Sequence, residues 1–444
     1  MNDPIPKPDE SRVSPERTRP ITRARAVALG LGYWLALVPL TIAPRHSGNV
    51  WSRYMTIESI VERGTLAIDA SPLMKISGSP DLVKVDGRTY SDKPPVLSAL
   101  SAIVYAPMHA IGWSFNPSAG DVPRVNLVLV SLVVGLSSAI ALIALRLMFQ
   151  YVPIPRWTAD LATLGCGLGT LLLTYGVTFN NHSVAAGLVT AAFGLVMSGR
   201  GRGVLSGVLA GLAATIDLPA GGLTLGALGV WLVLRDRRSP WEYLAASGGP
   251  IALHVLLQWS STGSPLPAEM TPEKFHYEDS YWETEVGRFR ETVPRWLWGV
   301  ELLLGPQGWL TLTPDLVFGL LGIVIIAVKR HDPLRWPAIM VGTMVAVLVA
   351  FYTWGVRRTD FAGLSFGTRH LLAVTPLVWY FAVAGLARLR FRLLTFLFLI
   401  TFPIGLGYAW AGMLDPWSRV ERRRDVVLLF LQRGVIYPHT IYRR

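Results

Sequence analysis

Charge is scarce in this sequence, and cysteine is almost absent. Only 16% of its residues are Asp, Glu, Lys or Arg, whereas soluble domains carry about 25%. A chain of 444 residues would make roughly three soluble domains on length alone, but one this poor in charge cannot cover so much water-facing surface. The single cysteine, Cys166, lies within an apolar run, which excludes a disulfide framework and a thiolate metal site. No His-x-x-x-His or Asp-x-Asp spacing supports a metal, so none is assigned and a divalent ion is left open. There is no P-loop and no Gly-x-Gly-x-x-Gly context, which argues against nucleotide-driven chemistry. Acidic residues number 29 against 41 basic ones, a net charge of +12. In a soluble protein such an excess points to nucleic acid. Here the basic residues cluster between apolar runs and read as topology determinants, with no nucleic-acid partner expected.

Apolar residues fill the space that charge leaves. They make up 51% of the chain, and the mean hydropathy is +0.41. Residues 1–25 form a Pro- and Arg-rich stretch without apolar period, expected to be a disordered cytoplasmic tail. The first apolar run is 26–43, read as an uncleaved helix rather than a signal peptide because no A-x-A site precedes Pro44. Further runs follow at about 94–112, 123–145, 158–178, 183–197, 203–216, 218–234 and 241–259, then 313–328, 336–353, 370–387 and 391–410. Each approaches the ~20 residues that cross a bilayer. The expected class is therefore all-α: a polytopic integral membrane protein of about 11–12 transmembrane helices, its lipid bilayer the first partner.

Lys and Arg set the orientation. The N-terminal tail, Arg200/Arg202, Arg235–Arg238, Lys329–Arg335 and Arg388–Arg392 are expected inside the cell. Two long polar stretches, 44–93 and 260–312, then share the outer face, and 411–444 forms a C-terminal tail. Four apolar runs lie between 94 and 198 where the charges require an odd number of crossings, so one run is expected to be a half-helix or a surface helix. The first outer loop contains a helical period over Ser52–Arg63 closed by Gly64. It also contains a possible hairpin, Val83–Val85 with Thr89–Tyr90, around the turn Asp86-Gly87. The second loop mixes acidic residues with Trp282, Trp296 and Trp298, as a solvated interfacial helix would.

Two long outer loops on a helical bundle place binding or chemistry at the membrane–water boundary. The first ends in Tyr90-Ser91-Asp92-Lys93-Pro94-Pro95 at the mouth of a helix. A lysine at the positive end of a helix dipole is unfavourable unless an anion binds there; its alternative is to snorkel into headgroups. Arg369-His370 opens another outer helix in the same way, and arginine suits a bidentate phosphate contact. Asp217 stands between two apolar runs, where an ionisable group is costly and functional by default unless the turn is wet. His182, with Asn180 and Asn181, could contact sugar hydroxyls or act as an interfacial helix cap. Glu58 fits the solvated face of its helix.

Three segments carry a resemblance. Asn49-Val50-Trp51-Ser52-Arg53-Tyr54, Tyr90-Ser91-Asp92-Lys93-Pro94-Pro95 and Ser365-Phe366-Gly367-Thr368-Arg369-His370-Leu371-Leu372 are similar to elements of GT-C glycosyltransferases. The comparison is with bacterial relatives of protein O-mannosyltransferases and of the lipid A aminoarabinose transferase. The resemblance covers about residues 26–410. It implies an inverting transfer from a polyprenyl-phosphate sugar, as donor substrate, to a glycan, lipid or protein acceptor on the outer face of the cell inner membrane. It also implies phosphate or substrate contacts from Lys93, Arg53, Arg369, His370, Asn49 and His182. The sequence departs from the family where it matters most: with Arg53-Tyr54 aligned, the usual catalytic aspartate falls at Val50, beside Asn49. Asp69, Asp92 and Asp217 are the substitutes for the base. Two other roles compete, a transporter or flippase of lipid-linked sugars and a catalytically inactive scaffold of the same fold.

Overall fold

The computed structural model describes residues 20–41, 47–199, 203–235, 239–283, 294–355, 365–389 and 392–417. Nearly all of the apolar runs are helices: α1 (Pro20–Leu37), α2 (Gly48–Arg63), α3 (Pro95–Ala110), α4 (Val122–Tyr151), α5 (Arg156–Gly169), α6 (Leu171–Gly176), α7 (Asn181–Met197), α8 (Gly203–Ile216), α9 (Leu218–Arg235) and α10 (Ser239–Thr262). Within the second polar stretch lies α11 (Arg295–Leu304), and after it come α12 (Leu316–Val328), α13 (Arg335–Gly355), α14 (Arg369–Leu389) and α15 (Arg392–Leu414). The one sheet among the described residues is a two-stranded hairpin, β1 (Leu82–Val85) with β2 (Arg88–Ser91). The fold is therefore all-α and membrane-embedded.

Four helices, α4, α13, α14 and α15, are long and apolar enough to cross a bilayer by themselves. The helices α3, α7, α8 and α9 are equally apolar but shorter. The run at 158–178 is broken: Thr170 adopts an extended conformation between α5 and α6, its hydroxyl donating to the Cys166 carbonyl and accepting from Leu172 N. The second polar stretch also hides a membrane element. Residues Arg295–Leu312 and Leu316–Val328 are jointly apolar enough for a span but meet at 98°, as a broken or re-entrant segment does.

Exposed tryptophans mark the borders of the apolar zone. Trp241 and Trp259 on α10, and Trp336 and Trp354 on α13, are all exposed. Each pair is 18 residues apart, about 27 Å at the helical rise, close to the ~30 Å bilayer core. Indole rings favour such interfaces because one edge is apolar and one wet. Inside the bundle small residues let backbones meet: a Cβ on Gly207 or Gly211 of α8 would strike the Tyr243 or Ser247 backbone of α10, so packing here depends on glycine.

The two long polar stretches touch one another. Val83 of β1 packs with Ala268 and Phe275 in a small core flanked by Tyr90 and Trp282, and the Lys84 ammonium lies 4.9 Å from the Tyr277 ring centroid. The hairpin has the expected turn, with Asp86 and Gly87 both at positive φ, as a type I′ connection requires. Helix α2 begins four residues before its predicted start because Ser47 caps it through Val50 N, and Gly64 closes it in the left-handed conformation. Glu58 corrects an expectation: it is fully buried, and Arg63 donates to it through both terminal nitrogens. The glutamate faces the protein because Arg63, one turn later, supplies the countercharge.

Candidate functional site

The site is assembled from helix starts. Asn180 caps α7, its Oδ1 accepting from Ser183 N while its Nδ2 donates to the Tyr175 and Thr178 carbonyls. That cap leaves the next residues, Asn181 and His182, at the open end of the helix. Helix α2 approaches with Arg53, which is 2% exposed. Its guanidinium donates to the Asn49 carbonyl at 3.3 Å and to Asn181 Oδ1 at 3.1 Å, so both ends of the fork are fixed.

His182 turns toward the α8–α9 junction. Its Nδ1 lies 2.6 Å from Asp217 Oδ2, and both residues are buried. The Asp217 backbone continues α8 by bonding to the Ala213 carbonyl, and its own carbonyl accepts from Gly221 N. The hairpin is tight: a Cβ at Gly221 would fall 2.1 Å from the Ala213 backbone. Glycine at that position therefore permits the close turn that presents the carboxylate.

The third contribution comes from α14. Gly367 precedes it at φ +83, and a Cβ there would lie 2.3 Å from Leu312 Cδ1. The next residue, Thr368, is anchored to the Gln307 carbonyl through both its backbone N–H and its hydroxyl. This turn delivers Arg369 and His370. The Arg369 guanidinium carbon stands 5.1 Å from the Trp417 ring centroid, and its Nε is sealed without a hydrogen bond. Trp417 itself donates to Thr178 in the α6–α7 turn. The His370 ring lies between Tyr352, at 4.7 Å, and His182, at 5.3 Å between centroids. Arg53 and Arg369 are both close enough for their charges to act on the His182 ring.

Lys93 has a different setting. Its ammonium sits between Asp92 Oδ2 at 3.0 Å and Asp81 Oδ1 at 3.3 Å, so two carboxylates offset its charge. Asp81 abuts the first turn of α2, where its Oδ2 would be 3.2 Å from a Cβ at Gly48. The adjacent Ser79 hydroxyl donates to the Gly48 carbonyl. This ties the Lys93 cluster to the helix that carries Asn49 and Arg53. From the second loop, Tyr277 is held protonated above its usual range, first by burial and then by the Asp92 charge.

Sequence and structure can now be compared residue by residue. Arg53, His182, Asp217, Arg369 and His370 come together, and Asn49 contributes its carbonyl to Arg53 while its Oδ1 is sealed without a partner. Asp92 and Lys93 adjoin this group through Asp81. Asp69 does not join it: the Asp69 carboxylate is exposed and accepts the Thr89 backbone N–H, bracing the hairpin. Val50 is fully buried. Sequence reading missed Asp81, Tyr352 and Trp417. Asp81 follows the turn residues Gly78-Ser79-Pro80 and belongs to no motif; Tyr352 ends an apolar run and Trp417 follows one, where interfacial anchoring is the ordinary reading. No group of three or more metal-ligating side chains occurs among the described residues.

No protein-family model matches the sequence, and no curated protein does. Solved structures do resemble the chain. The oligosaccharyltransferase of Archaeoglobus fulgidus in its apo form superposes with a TM-score of 0.51 at 14% identity, covering 91% of this chain and 57% of that one. ArnT from Cupriavidus metallidurans gives a TM-score of 0.45 in the apo state and 0.42 bound to undecaprenyl phosphate, each at 16% identity. Those two matches cover 82% of this chain and 59% or 60% of ArnT. The chain thus spans less than two thirds of the length of these structures. At such identities the likeness concerns fold alone: the chain shares the α-helical membrane fold of the oligosaccharyltransferase.

Proposed function

We propose that this chain transfers a sugar from a polyprenyl-phosphate donor to an acceptor on the outer face of the cell inner membrane, with inversion at the sugar carbon. The observation that carries this reading is the meeting of Arg53, from the first outer loop, with Arg369, from the last third of the chain, around one imidazole. Two guanidinium groups, Arg369 at a helix start and Arg53 in the second turn of α2, suit one ligand chemistry above others, a phosphate at the membrane boundary. The contact between the two long polar stretches supports a site shared between them, and the distribution of Lys and Arg supports an outward-facing site with a cytoplasmic N-terminus.

In this reading the phosphate of the donor is the leaving group. Arg53, held by Asn49 and Asn181, and Arg369, held over Trp417, spread its developing charge. Their fixed positions cost no reorganisation during the reaction. His370 and Tyr352 offer ring faces to the sugar. Lys93, balanced by Asp81 and Asp92, serves the rim rather than acting as an isolated cation. Mass spectrometry of lipids that co-purify with the protein tests the donor class. A bound polyprenyl phosphate or its sugar conjugate is the expected result, and its consistent absence, with other lipids present, overturns the proposal.

A further inference from the structure

We infer that the proton of the acceptor hydroxyl is taken by His182 Nε2, with Asp217 as its positioning carboxylate; this rests on the glycosyl-transfer reading above. The resemblance leaves the base unassigned, since Asn49 and Val50 occupy the place of the usual aspartate and neither can accept a proton at neutral pH. Of the substitutes, Asp69 is spent on the hairpin backbone, and Asp92 faces the Lys93 ammonium. Asp217 is buried against His182, so its carboxylate meets an acceptor only through the imidazole.

That geometry fixes the ring. An ionised carboxylate only accepts hydrogen bonds, so the 2.6 Å contact places the proton on His182 Nδ1. The lone pair then belongs to Nε2. Among the described residues no hydrogen bond holds this atom, and it is not one of the sealed polar atoms. One ring nitrogen anchored by a carboxylate and the other open is the arrangement that activates a hydroxyl. The charged groups facing the ring are Asp217 from the α8–α9 junction, Arg53 from α2 and Arg369 from α14. His370 completes its surroundings.

The step balances as follows. The acceptor O–H gives its proton to His182 Nε2 as its oxygen bonds to the sugar carbon. The bond from that carbon to the donor phosphate breaks, and its electron pair leaves with the phosphate beside Arg53 and Arg369. The imidazolium formed is stabilised by Asp217 and later loses its proton to water.

The test follows release of bare polyprenyl phosphate from the lipid extract of the native host, a product common to every sugar donor. Wild-type protein, His182→Ala, His182→Gln and Asp217→Asn are compared, each also titrated with undecaprenyl phosphate. Loss of the base should lower the maximal release rate about 10²- to 10⁴-fold with undecaprenyl phosphate affinity unchanged. Added imidazole should restore part of the His182→Ala rate, because the side chain's chemistry re-enters the space it vacated. Asp217→Asn should lower kcat with little change in KM and alter the pH profile of kcat. Equal rates in wild type and both His182 variants overturn the inference while leaving the transfer reading intact; so does a loss in His182→Ala that imidazole fails to restore while His182→Gln, equally folded, stays active. Wild-type protein that neither binds undecaprenyl phosphate nor releases it defeats the reading on which the inference rests.

Discussion

The two ends of the helical bundle handle buried charge in opposite ways. At the end where α1 begins, Arg146 of α4 donates to Asp160 of α5 at 2.5 Å, both buried, and Arg25 reaches the same carboxylate. Arg388 at the end of α14 grips Asp332 with two donors, at 2.5 and 3.0 Å, and the nearby contact of Phe149 with Tyr380 joins these clusters to one end. Arg25, Arg146 and Arg388 each meet a carboxylate there. At the opposite end Arg53 bonds to a carbonyl and an amide, Arg369 lies over an indole face, and Asp217 is committed to a histidine. Paired charge is what a scaffold needs, because an uncompensated ion in a low-dielectric setting is costly. Guanidinium groups oriented by amide and aromatic partners suit an anion site, because those partners bring no negative charge of their own.

The contrast can be broken at either end. The largest effect on stability belongs to the inner end: Asp160→Ala strands the buried Arg146 and should cost about 3–5 kcal/mol, read as a lowered melting temperature in detergent with transfer per folded molecule preserved. Arg369→Ala should do the reverse. Transfer falls about 10²- to 10³-fold, or ~2.7–4 kcal/mol of barrier, while the melting temperature stays near that of wild type. Between these extremes, Gly367→Ala forces a left-handed conformation and a clash with Leu312. It should cost about 1–3 kcal/mol and lower transfer as well, since the same turn aims Arg369. The smallest change is Lys84→Ala. It removes the contact with Tyr277, worth ~0.5–1 kcal/mol, and should appear only as faster proteolysis of the second outer loop.

Much of the fold was legible because lipid imposes a simple rule. Apolar runs of bilayer length become helices, and the runs read from sequence match the observed helices to within a few residues. Turn chemistry was equally local: Asp86-Gly87 and Gly64 declared themselves through the conformations that those residues favour. The break at Thr170 and the 98° bend before α12 were not legible, since both depend on backbone groups finding partners inside protein. The site divides along the same line. Arg369-His370 and Asp217 stood out as ionisable groups beside apolar runs. The partnership of Arg53 with Asn181 crosses 128 positions of sequence, and no periodicity reports such a contact. Asp69 misled because a lone carboxylate in an outer loop looks catalytic until the hairpin it braces is seen. Glu58 misled for the opposite reason, its burial being set by Arg63 and not by its own polarity.

The central claim is that the outer guanidinium groups exist to hold a lipid's phosphate. Its most direct test is a titration of the purified protein with undecaprenyl phosphate, comparing wild type with Arg53→Ala/Arg369→Ala. Charge-assisted hydrogen bonds contribute about 1.5–3 kcal/mol each, so the double variant should bind roughly 100-fold more weakly or worse, with its fold retained. Equal affinity in the two proteins would contradict the account.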